Sequence, residues 1–144
     1  MNEFMKNKKL ILNLAKKARR NISEVYDFVY NKTLRGACGV SSWHLMSLLQ
    51  QHNINAKYCY CIGHYWVEVD DFVIDITAKQ FDKKYPEILI LSKKKYMNLP
   101  FIHSQQIDSI NCTKQAFNEM SGWTYCVDKK HFKTLKKQQN KYSI

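Results

Sequence analysis

Glycine and proline are both scarce in this chain, at 4 and 2 among 144 residues. So few backbone breakers exclude a collagen-like fibre and a low-complexity linker. With 45% of residues apolar and 13% aromatic, what remains is a compact globular domain. Long apolar runs are missing as well: none approaches the roughly 20 residues needed to cross a bilayer as a helix. The stretch Lys8-Lys9-Leu10-Ile11-Leu12-Asn13-Leu14 is interrupted at Asn13 and followed by Lys16-Lys17, too short an apolar segment for a secretory signal. The expectation is a cytoplasmic protein without a membrane span. Neither an internal repeat nor a Pro- or Ser-rich linker divides the chain, so 1–144 reads as a single domain, long enough for one core and too short for two.

Acidic side chains are outnumbered, 12 against 23 Lys and Arg, for a net charge of +11. The excess lies at the two ends. Residues 1–20 carry +6, residues 126–144 carry +5, and residues 21–125 balance to zero. A nucleic-acid binder usually sets its basic groups on one folded face among aromatics. Here a basic helical N-terminus (1–20) and a basic C-terminal tail (126–144) flank a neutral body. Attraction to nucleic acid, an anionic membrane or an acidic protein is one reading of that pattern. The preferred one is that Lys-rich helix faces and a frayed tail keep the protein soluble.

Five cysteines (Cys38, Cys59, Cys61, Cys112, Cys126) are an odd number, which without a secretory signal points to a reducing compartment and free thiols. Cys59, Cys61 and His64 have the side chains of a zinc site. No second ligand pair accompanies them at convincing spacing, so no metal and no cofactor is expected.

Hydrophobic spacing predicts an α+β fold, with N-terminal helices and a cysteine-bearing helix packed on a small antiparallel sheet. Leu10, Leu14 and Ala18 mark a surface helix. Asn21 and Glu24 suggest a capping box that opens a second helix, with Ile22, Val25, Tyr26 and Val29 inward. Asn31 to Gly36 reads as a loop, and Cys38 to His52 as a third helix stopped by a left-handed Asn53. Strands follow at Ala56–Cys61, His64–Val69, Phe72–Ile76 and Glu87–Leu91, and Lys93-Lys94-Lys95 reads as a solvated turn. Further helices are expected over Thr113–Met120 and Lys129–Gln139.

The runs His64–Val69 and Phe72–Ile76 meet at Asp70-Asp71 and form a hairpin with Val69 opposite Phe72, Glu68 opposite Val73 and Val67 opposite Ile74. Side chains alternate faces along a strand, so His64, Trp66 and Asp75 share one face with Thr77. Tyr65, Val67, Val69, Phe72, Ile74 and Ile76 occupy the other. A histidine and an aspartate inside an apolar hairpin are costly unless paired. Cys38, between Gly36-Ala37 and Gly39, begins a helix, where the dipole and free N–H groups favour a thiolate and can hold an oxyanion. A cysteine nucleophile, a histidine base and an aspartate fixing the histidine tautomer make a triad. His44, His52, His103, His131, Trp43 and Glu68 carry no comparable pattern.

The strings GACGVSSWHLMSLL, GHYWVEV and FVIDITAKQF, in that order over about residues 34–82, resemble the transglutaminase-like branch of the papain-like superfamily. The resemblance implies Cys38 as nucleophile, His64 as base and Asp75 as its partner, with Gly36, Trp66 and Thr77 beside the substrate. It places the domain core at about 34–92. It also implies a thioester acyl-enzyme on amides, ending in proteolysis, glutamine deamidation or transfer to an amine, and a bacterial or phage source. Hydrolysis of a protein or peptide substrate is preferred, since water needs no second pocket. Transglutaminase activity is the near alternative, and a non-enzymatic basic binding module with a vestigial triad is the distant one. The sequence departs from the family in its shortness, in the lack of an acidic calcium loop, and in Ile76 where the family commonly has proline. The histidine lies only 26 residues after Cys38, whereas papain carries its own far downstream.

Overall fold

The computed structural model of the protein describes residues 2–30, 37–61, 63–103 and 108–111. It is an α+β arrangement. Helices α1 (Glu3–Lys6), α2 (Lys8–Tyr30) and α3 (Cys38–Gln51) precede strands β1 (Lys57–Cys61), β2 (His64–Val69), β3 (Phe72–Asp75) and β4 (Leu89–Ser92), with the short α4 (Lys93–Tyr96) ahead of β5 (Asp108–Asn111). The sheet runs β4-β3-β2-β1-β5, and every pairing is antiparallel. Among the described residues no helix is long and apolar enough to cross a membrane.

Two helices were expected before residue 31, divided at Asn21, but α2 is continuous. Its buried stripe of Ile11, Leu14, Ala15, Ala18 and Ile22 repeats at helical spacing without Gly or Pro to break it. Asn21 therefore lies inside the helix, and its amide meets His44 Nε2 at 3.0 Å instead of capping. The side chains of Val25, Tyr26 and Val29 lie outside the description, as do Asn31 to Gly36, both helices expected after residue 112, and the basic tail.

Buried from Cys38 to Leu49, α3 is the central helix, enclosed between α2 and the sheet. Asn53 ends it at φ 58°, the left-handed stop its position suggested. The β2–β3 hairpin has the expected register, Val69 opposite Phe72, Glu68 opposite Val73 and Val67 opposite Ile74. Asp70 takes the positive φ, 53°, that the tight turn needs. β4 begins later than expected, and β5 extends the sheet beyond β1 where sequence periodicity marked no strand.

Each face of the sheet has its own core. Val67, Val69, Ile74 and Ile76 join the helices. Trp66, Val73, Cys59 and Cys61 pack against Ala78, Tyr85, Leu89, Tyr96, Phe101 and Ile102 from the segment after β3. The lysine run read as a solvated turn is instead a single helical turn. Ser92 Oγ caps it by accepting from Lys95 N–H, the lysines stay exposed, and Tyr96 is turned into the second core.

Candidate active site

His64 starts β2 and Asp75 ends β3, so the hairpin register brings the two side chains together. His64 Nε2 lies 2.8 Å from Asp75 Oδ2, and both side chains are fully buried. The carboxylate is held from three further directions. Thr77 donates its backbone N–H (2.8 Å) and its hydroxyl (3.4 Å) to Oδ1, and Tyr96 donates its hydroxyl to Oδ2 at 2.6 Å. Gln80 Nε2 in turn donates to the Thr77 hydroxyl at 3.1 Å. A carboxylate saturated in this way is fixed in orientation, and it fixes the imidazole.

With Nε2 engaged by Asp75, Nδ1 is the ring nitrogen left to Cys38. It is enclosed and makes no hydrogen bond of good geometry. The Cys38 thiol is nonetheless near enough to act on the ring's protonation. Burial is the largest influence on His64 and pushes its pKa down. The hydrogen bond and charge of Asp75, with the influence of the nearby Cys38, outweigh burial and hold the pKa at about 9 against the ordinary 6.5. The ring is therefore an imidazolium at neutral pH, flanked by a carboxylate and a sulfur.

Cys38 is the first residue of α3 and is only 9% exposed. Ala37 caps the helix without a side-chain acceptor, and the ladder begins with Ser41 N–H donating to Ala37 O at 2.9 Å. The N–H groups of the first turn thus lack helical acceptors and point past the sulfur's end of the helix. Cys59 differs sharply: burial, then the charge and hydrogen bond of Glu68, push its thiol far up, which makes it inert.

Three aromatic rings frame the imidazole. Phe81 and Phe101 meet it edge-on, at 4.8 Å and 5.4 Å between centroids, and stack on each other at 4.4 Å; Trp66 lies 5.9 Å away. From the far side Arg19 of α2, itself buried, donates to Ile76 O and approaches Glu87 at 3.8 Å. Burial lowers its pKa, while the charges of Glu87 and Asp75 pull it back. The basic N-terminal helix is therefore not wholly a solvated face.

Trp66 and Thr77, expected beside the substrate, are fully buried, and their polar atoms are taken by Glu68 (3.1 Å) and Asp75. They are as fully enclosed as His64 and Asp75 themselves. Gly36 lies outside the described residues. Sequence reasoning missed Tyr96, Phe81, Phe101 and Arg19. The only available sign was an aromatic closing a lysine run, and a single helical turn has no periodicity to read. Glu68 is a core-rim residue, accepting from Trp66 and pairing with Lys93 at 3.2 Å. Among the described residues no three His, Cys, Asp or Glu side chains gather as a metal-holding group.

Comparison with protein-family models finds no match, and neither the curated proteins nor the solved structures yields one.

Proposed function

We propose that this protein is a cysteine-dependent acyl-transfer enzyme of transglutaminase-like, papain-like type, acting on amide or peptide bonds. The observation that carries the reading is the buried His64, held by Asp75 at 2.8 Å on one nitrogen and influenced by the Cys38 thiol at the head of α3. In the reaction, His64 holds the proton given up by Cys38, and the sulfur attacks the acyl carbon. The first-turn N–H groups of α3 receive the oxyanion. The imidazolium passes its proton to the departing amine as the C–N bond breaks, leaving a thioester on Cys38. Water, deprotonated by His64, then releases the acid and restores the thiol. An amine in the place of water would give transglutamination. Hydrolysis, by proteolysis or deamidation, is the preferred outcome, since it needs no second substrate site.

The test is alkylation of the folded protein with iodoacetamide across pH, read by mass spectrometry at each cysteine. Cys38 should react first and well below pH 8.5, the free-thiol value. His64→Ala should slow it about tenfold or more at pH 6.5. Cys38 reacting no faster than Cys59, or indifferently to His64, would overturn the reading.

A second reading, a basic binding module for nucleic acid or an acidic protein, draws on one feature. A cleft of about 330 Å³ is lined by Lys16, Arg19, Arg20, Ser23, Glu87 and Ile88, so part of the N-terminal charge is gathered on a folded surface.

A further inference from the structure

We propose that Tyr96 is a positioning residue for this chemistry: its hydroxyl shares Asp75 Oδ2 with the imidazole and so sets how tightly the carboxylate holds the His64 proton. The inference rests on the reading of Cys38 and His64 as nucleophile and base. Two donors converge on one oxygen, Tyr96 O–H at 2.6 Å and His64 Nε2 at 2.8 Å, while Oδ1 is occupied by Thr77. Every donor to Oδ2 draws off part of the negative charge that would otherwise face the ring. A base must also give its proton back to the leaving amine, and an undivided carboxylate would hold the imidazolium too firmly for that step.

The placement of Tyr96 argues against mere space-filling. Its ring lies in the second core against Trp66 and Phe101, at 5.3 Å and 5.8 Å, where phenylalanine would fill the same volume. A buried hydroxyl needs a partner, and here the partner is the site's own carboxylate. Burial, followed by the charge of Asp75, raises the phenol's pKa well above 10, so it stays a donor wherever the site is active. The charged and titratable groups around this centre come from every layer: Arg19 from α2, Cys38 from α3, Cys61 from β1, His64 from β2, Asp75 from β3 and Tyr96 from α4.

The experiment is an NMR titration of the His64 ring nitrogens in the ¹⁵N-histidine-labelled full chain, comparing wild type, Tyr96→Phe, and a protein with 3-fluorotyrosine at position 96. Removing the hydroxyl should raise the pH at which His64 titrates by about half a unit or more. The fluorinated phenol is a stronger donor and should lower it. Shifts in opposite directions are a signature that a purely structural role would not produce. If Tyr96→Phe fails to fold, the fluorotyrosine protein decides alone: a downward shift supports the proposal, and an unchanged or upward value overturns it. Equal titration in all three, or movement in the same direction in both variants, also overturns it. The result does not depend on turnover. Failure of the Cys38 alkylation test would thus remove the enzyme reading while leaving the Tyr96–His64 coupling separately measurable.

Discussion

A buried imidazole packed against the rings of the second core ties stability to pH. His64 titrates near 9 in the folded protein and near 6.5 when exposed, so its contribution is fully present below pH 6.5 and is lost as pH rises through about 9. The size is on the order of 3 kcal/mol, at about 1.4 kcal/mol per pH unit. Urea denaturation of wild type should therefore show a midpoint that falls between pH 6.5 and 9.5, and His64→Gln should show a distinctly shallower fall. Parallel curves would mean that His64 is neutral in the folded state. At this scale the sequence was informative where strand alternation applies: it put His64 and Asp75 on one face, and the structure sets them in hydrogen-bond contact. It could not show what covers that face. Tyr96, Phe81 and Phe101 arrive from segments whose turns follow no period, and pairings so distant along the chain leave no local trace.

Among the elements, the β2–β3 hairpin is the most constrained and also anchors the start of the chain. Asp70 adopts a left-handed φ of 53°, and its carboxylate accepts the Phe4 N–H at 2.6 Å, while Phe4 stacks on Phe72 with 4.1 Å between ring centroids. Asp70→Ala should lose about 2 kcal/mol, roughly half from placing alanine in that conformation and half from the lost hydrogen bond. Asp70→Asn keeps both a tolerance for the conformation and an oxygen acceptor, so it should lose less than half as much. Thermal denaturation of the two variants measures the difference. The hairpin was legible because a two-residue turn fixes its register. The unbroken α2 was not, because Asn21 and Glu24 mimic a helix start and only the tertiary stripe through Ile22 overrides them.

For the molecule as a whole, the basic excess can be tested for nucleic-acid binding. If the cleft of Lys16, Arg19 and Arg20 holds nucleic acid, the wild type should retain a short DNA duplex at 50 mM salt. It should bind far more weakly at 200 mM, a loss of about fortyfold for three phosphate contacts. Lys16→Glu with Arg20→Glu should abolish that retention, whereas Cys38→Ala should leave it intact. Weak retention that is indifferent to the charge reversal would leave the basic residues a solubilising role.

The sheet is clad unequally. One side rests on helices of 23 and 14 residues, each braced by its own ladder and removable only by unfolding. The other is roofed by turns and single coils of helix, pinned down by packed aromatic rings. His64 and Asp75 lie under that second roof. The imidazole is thus covered by side chains and short turns, whereas the opposite face of the sheet is covered by whole helices.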